Sequence, residues 1–170
     1  MRRGYLQVYT GDGKGKTTAA IGLAVRALGA GLSVCMVQFI KSMPYAELGV
    51  LRRLGVSVHQ FGRGCFIRGE PTEADRAMAA RGLAFVETVY ADRALGLLIL
   101  DEINVAIHLG LVQTGAVLET VSRRPASLEL VCTGRGAPPE LLAAADLATR
   151  MECLKHYYDR GVAARDGIER

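Results

Sequence analysis

The sequence lacks the features that mark several large classes of protein. Its four cysteines, Cys35, Cys65, Cys132 and Cys153, form no Cys-x-x-Cys pair and have no histidine at metal-ligand spacing. That argues against a structural zinc site or a disulfide framework. No apolar run reaches membrane-spanning length. Met1-Arg2-Arg3 precedes no hydrophobic signal core, because the first strand-like run carries Gln7. Charged residues make up 22% of the chain and the net charge is only +4. The cations are spread along the chain, without the clustered stripe or interleaved aromatics of a nucleic-acid binder. Repeats, low-complexity tracts and linkers are absent too. These absences predict a cytoplasmic protein with no membrane or nucleic-acid partner. Half of its 170 residues are apolar, so it should fold, as a single domain over residues 1–170.

What is present centres on Thr10-Gly11-Asp12-Gly13-Lys14-Gly15-Lys16-Thr17-Thr18. Tyr5–Tyr9 before it alternates and is β-prone, and the apolar run Ala19–Leu28 after it is rich in helix formers. Strand, glycine-rich turn and buried helix form the context of a phosphate-binding loop, in which backbone N–H groups and a helix N-terminus face an anion. Lys16 would reach the phosphates, and the Thr17 hydroxyl would hold a Mg²⁺ that bridges them. The usual pattern has glycine where this chain has Thr10, so the strict motif fails. The bland alternative is a glycine-rich turn with incidental lysines, against which stand the alternating glycines and the Lys-Thr-Thr at a helix start.

Further along, Ser33–Ile40 reads as a strand buried on both faces, Lys41–Pro44 as a loop, Glu47–Leu54 as a helix and Val56–Phe61 as a strand. Gly62–Pro71 is a glycine-rich loop with Cys65-Phe66-Ile67 at its centre, which suggests a hydrophobic ligand or a packing neighbour. Thr72–Asp75 reads as a capping box opening a helix to about Tyr90, with Ala74, Met78, Phe85 and Val89 on one face. Leu97–Leu100 is an apolar strand ending in Asp101-Glu102. Carboxylates at the C-terminal end of a parallel strand arrive beside the phosphate loop, as a Mg²⁺ site requires, although one could merely cap the next helix. Ile103–Leu109 and Gly115–Ser122 look helical, Leu128–Thr133 is a strand, and Arg135 follows it as a phosphate ligand or a plain surface arginine. Pro139–Ala145 should be a helix, Asp146–Cys153 a last strand region, and Lys155–Gly161 a polar tail. Alternating strands and helices imply an α/β fold of the P-loop NTPase (RecA-like) kind, a mainly parallel sheet with helices on both faces.

Five motifs in order resemble the ATP:corrinoid adenosyltransferases of cobalamin biosynthesis and salvage, over nearly the whole chain. They are Thr10–Thr18, Val37-Gln-Phe-Ile-Lys41, Leu100-Asp-Glu-Ile103, Thr133-Gly-Arg135 and the ending Lys155-His156…Gly161…Gly167-Ile168-Glu169. The missing first glycine is characteristic of that family. The resemblance implies transfer of the 5′-deoxyadenosyl group of ATP to a reduced Co(I) corrinoid, with release of triphosphate. It implies ATP held by Thr10–Thr18 and Arg135, with Lys16, Lys14 and Arg135 facing the triphosphate. It further implies Mg²⁺ on Thr17 and Glu102 with Asp101 sharing or orienting, Lys16 and Glu102 as the catalytic pair, and Phe66 against the corrin. Better-known members follow this Phe with Thr and Trp, where this chain has Ile67 and Arg68, and they carry Asn at Asp12. Some also have a longer N-terminal covering segment, so that cover is expected to be missing or to come from elsewhere. A homodimer and an electron-donor reductase or flavodoxin are further implications. The rival expectations are a P-loop ATPase or phosphotransferase with Glu102 as base, and a nucleotide-sensing module that uses the Phe66 loop as a protein contact.

Overall fold

Seven consecutive residues of Ser33–Lys41 are buried, so this strand must be covered on both faces. The computed structural model, which describes residues 3–64, 67 and 69–169, shows how. Strands β1 (Leu6–Thr10), β2 (Ser33–Lys41), β3 (Ser57–Gly64), β4 (Leu95–Asp101), β5 (Glu129–Thr133) and β6 (Leu147–Arg150) form one sheet in the order β3-β2-β4-β5-β1-β6. Every pairing is parallel. Helices α1 (Lys16–Gly29), α2 (Ala46–Arg53), α3 (Glu73–Val89), α4 (Ile103–His108), α5 (Thr114–Ser122) and α6 (Pro139–Ala144) connect them.

The period of two along each strand divides the core. Val34, Met36, Leu97, Ile99 and Val131 pack with Ala20, Ala24 and Ala27 of α1 on one face. Cys35, Val37, Phe39, Leu98, Leu100, Leu130 and Cys132 pack with α3, α4, α5 and α6 on the other. Both buried thiols are pushed up by desolvation, Cys35 to about 11 and Cys132 to about 12.

Thr72 starts α3 as expected: its hydroxyl accepts from the Asp75 N–H at 3.3 Å, and Asp75 accepts from the Thr72 N–H at 3.0 Å. The expected face of α3 is met in part: Phe85 and Val89 pack against the core as half-buried residues and Met78 is half-buried, but they flank the fully buried stripe. Ala74 is exposed, and the stripe runs through Ala79, Gly82 and Val86. A Cβ on Gly82 would lie 2.8 Å from the Phe39 ring, so the glycine is what lets helix and sheet approach. The expected loop at Lys41 is likewise corrected, since β2 continues through Lys41 by pairing with Gly64. Because all strands run the same way, Thr10, Lys41, Asp101 and Thr133 arrive together at one edge of the sheet.

Candidate active site

The loop between β1 and α1 turns on glycine. Gly11 and Gly15 have φ of +93° and +119°, in the left-handed region that L side chains resist. Gly13 is needed for a different reason. A Cβ there would meet Glu152 backbone at 2.7 Å, and the Gly13 N–H donates to Met151 O at 2.8 Å. The chain leaving β6 therefore forms one wall of the loop. Thr10, where a glycine is usual, is the last residue of β1. It is buried, and its hydroxyl accepts from the Ala137 N–H at 3.2 Å.

Lys16 lies across the loop, its ammonium donating to Gly11 O and Gly13 O at 2.6 Å each. Burial pushes its pKa down, as does Arg135, against the opposing pull of Glu102 and Asp12. Arg135 is exposed in the turn after β5, yet its charge also bears on Glu102. Lys14 faces elsewhere. Its ammonium meets Tyr157 Oη at 3.2 Å, Ile168 O at 3.0 Å and Glu169 Oε1 at 3.1 Å, which pins the C-terminal segment to the loop. Glu169 also accepts from Tyr157 and Arg165, and these partners hold its carboxyl well below the usual range. Asp12 and Thr18 are exposed.

Asp101 is the hub of the site. It has no exposed surface, and four donors surround its carboxylate. Oδ1 accepts from Thr17 at 2.8 Å and Thr133 at 2.7 Å; Oδ2 accepts from Lys41 at 2.8 Å and Gln38 at 3.1 Å. Gln38 is in register with Asp101 across the β2–β4 ladder, so the two side chains emerge side by side. Burial of a carboxylate is costly unless it is paired in this way. Glu102 sits beside it with φ of +63°, an uncommon value for a residue with a Cβ, and its N–H donates to Thr133 Oγ1 at 3.1 Å. Its carboxylate makes no cap for α4, which answers the alternative that an acid here serves the helix. Burial and neighbouring Asp101 raise the Glu102 carboxyl above its usual range, against Lys41, Lys16 and Arg135.

The structure thus brings together Lys16, Thr17, Asp101, Glu102 and Arg135, and directs Lys14 to the tail. Phe66, with Cys65 and Arg68, lies outside the described residues. Nearby, Ile40, Phe61, Ile67, Met78 and Leu111 border a recess of about 20 Å³. Sequence reasoning gave no role to Gln38, Lys41, Thr133 or Asn104. The signal was there for two of them: Gln38 and Thr133 are polar residues inside apolar strands. Asn104, fully buried, donates to Tyr9 O at 3.3 Å and Gly134 O at 3.1 Å, and so ties the strand before the loop to the turn before Arg135.

A glycine loop between β1 and α1, with a lysine and a threonine at its end and a carboxylate pair on β4, defines a P-loop nucleotide-binding protein. The solved structure of the flagellar accessory protein FlaH from Methanocaldococcus jannaschii shares this fold, at a TM-score of 0.53 and 14% identity over 88% of this chain and 72% of that one. The profile of the family described as ATP:corrinoid adenosyltransferase BtuR/CobO/CobP matches residues 2–170, and the chain belongs to that family. A corrinoid adenosyltransferase of Pseudomonas aeruginosa is 39% identical over 98% of this chain and 84% of its own length. Corrinoid adenosyltransferase CobA of Salmonella typhimurium is 35% identical and that of Escherichia coli strain K12 34%, each over 98% of this chain and 86% of its own. The protein is therefore an enzyme, a transferase, and the activity of its family is adenosyl transfer between ATP and a corrinoid.

Proposed function

We propose that the protein, acting as one nucleotide-binding domain, moves the 5′-deoxyadenosyl group of ATP onto the cobalt of a Co(I) corrinoid and releases triphosphate. The observation that carries this reading is the match of the corrinoid adenosyltransferase family over residues 2–170, and the commitment of Asp101 agrees with it. A carboxylate with four donors is engaged in holding its neighbours and has no lone pair left to activate a nucleophile. Co(I) needs no such activation, being itself the nucleophile. It attacks the 5′-carbon, a carbon–cobalt bond forms, and the carbon–oxygen bond breaks with its electron pair on the triphosphate. Lys16 and Arg135 stabilise the charge that builds there.

The residues fit a magnesium ion. Thr17 gives its proton to Asp101 at 2.8 Å, which leaves its oxygen lone pairs for a hard cation, and the Glu102 side chain is 26% exposed beside it. Thr17 and Glu102 would hold the ion, with Asp101 orienting Thr17. Bound there, magnesium would neutralise charge on the phosphates. Phe66 would cover the corrin. A homodimer fits the exposed β6 edge and Leu154, which is 90% exposed. A cytoplasmic location fits the absence, among the described residues, of any helix long and apolar enough to cross a membrane. A reductase or flavodoxin would supply the electron that makes Co(I).

A second reading keeps one observation in its favour. The raised proton affinity of Glu102 suits a general base, as a phosphotransferase or ATPase would need. Anaerobic incubation with ATP, Mg²⁺ and chemically reduced corrinoid separates the two. Light-sensitive cobalt–carbon absorbance together with intact triphosphate is the expected result. Diphosphate with no corrinoid spectral change would replace this proposal with the second reading.

A further inference from the structure

Lys41 reaches the carboxylate pair only through a distortion of β2. In an unbroken strand, residues three apart point to opposite faces. Gln38 and Lys41 are three apart, yet both donate to Asp101 Oδ2. The alternation breaks at Ile40, whose φ of +70° is an outlier for a β-branched residue. Ile40 consequently packs in the core cluster of Val37 and Phe39, where strict alternation would put it with Met36. The neighbouring strand accommodates the kink. Ile40 pairs with Gly62 and Lys41 with Gly64, so Arg63 is an extra residue in the ladder. Gly62 is required there, because a Cβ would lie 1.9 Å from Ile40 O. Strain of this kind persists where surrounding structure enforces it, and it gathers at functional sites.

The result is an ammonium 2.8 Å from Asp101 and 3.8 Å from Glu102, 14% exposed, with the Tyr45 ring 5.4 Å away. We infer that Lys41 is a positioning residue of the nucleotide site, a built-in cation that neutralises the Asp101–Glu102 pair so that the polyphosphate can approach before magnesium is in place. The inference rests on the proposed magnesium and triphosphate reading of this site. Two carboxylates without a counter-charge would repel a polyanion strongly in a partly buried site. Magnesium brings its own positive charge and takes over the duty. Lys41 and magnesium therefore substitute for one another, which a purely structural lysine would not do.

The test is ATP affinity measured by calorimetry, with excess Mg²⁺ and again in EDTA, the quantity of interest being the ratio of the two dissociation constants. Lys41→Gln keeps a donor for Asp101 and removes the charge. It should weaken metal-free binding and largely spare binding with Mg²⁺, raising the ratio about tenfold over wild type. Lys41→Arg should restore the wild-type ratio. Gly62→Ala, which keeps Lys41 but forces the kink open, should raise the ratio as Lys41→Gln does. Melting curves accompany each variant. Equal weakening in both conditions, or an unchanged ratio, overturns the inference while leaving the magnesium reading intact. A ratio near one in wild type and in Lys41→Gln alike removes the magnesium reading, and the inference with it.

Discussion

Thr133→Val tests the hub of the site most directly. Thr133 is fully buried, and its hydroxyl serves two partners, donating to Asp101 at 2.7 Å and accepting from the Glu102 N–H at 3.1 Å. Valine keeps the branched shape, so no cavity opens, and what is lost is the oxygen alone. A hydrogen bond to a charged group contributes about 1.5–3 kcal/mol, and an orphaned buried N–H costs about 1–3 kcal/mol. The two losses share one site and Asp101 keeps three donors, so the combined cost should be about 3 kcal/mol, less than their maximum sum. For a chain of this size each kcal/mol lowers the melting temperature by roughly 2–4 °C, which gives a fall of about 6–12 °C. Thermal denaturation followed by circular dichroism reads this. Thr133→Ser, which retains the oxygen, should recover most of the loss. A valine variant melting within about 2 °C of wild type, or serine and valine variants melting together, would show that the hydroxyl bridge is not what holds Asp101 and Glu102.

Four further outcomes are expected. Lys16→Ala should weaken ATP binding by about tenfold or more, the worth of one charged hydrogen bond, and near-normal affinity would remove Lys16 from the phosphates. Phe66→Ala should impair adenosylation that starts from Co(II) and a mild reductant while sparing the reaction from preformed Co(I); equal loss from both would take Phe66 out of the corrinoid site. Glu169 has a depressed carboxyl pKa, so its contribution is fully present above the ordinary carboxylate value and is lost only as acidification passes below it. Glu169→Gln should therefore free the C-terminal segment at pH 7, speeding tryptic cleavage after Arg160, and an unchanged cleavage rate would show that the contact with Lys14 does not hold the tail. Cys35 and Cys132 stay neutral in the fold while the unfolded chain ionises above its ordinary value of 9.0, so stability falls as pH rises beyond it. Each thiol should remove about 1.4 kcal/mol per pH unit up to its folded value. Urea denaturation of a Cys35→Ala, Cys132→Ala double variant should show a shallower alkaline decline, and an identical slope would refute the assignment.

Where chemistry was local in sequence, it was legible. Gly11, Gly15, Lys16 and Thr17 lie within one short stretch of chain, and the positive φ values the loop needs fall on Gly11 and Gly15. Asp101 and Glu102 were readable because an apolar parallel strand that ends in acids delivers them to the C-terminal end of the sheet, beside the loop. The capping box at Thr72 and Asp75 spans three residues and was legible for the same reason.

What depended on distant segments was not. The fully buried stripe of α3 was set by Gly82 fitting between Phe39 and Phe61, two rings supplied by other strands. Thr10 could be seen as a departure from a pattern, but the donor to its hydroxyl lies at Ala137, more than a hundred residues away. Lys14 belongs to the loop by sequence and to Glu169 by contact. Lys41 is the sharpest case. Sequence parity directs it away from Gln38, and the kink at Ile40, held by the bulge at Arg63 between Gly62 and Gly64, turns it back onto Asp101. Backbone propensity and period are properties of neighbouring residues, so the sequence determined the elements and the loop. The counter-charges of a buried carboxylate are drawn from wherever the folded sheet brings strand ends together, so tertiary structure alone decided which residues surround Asp101.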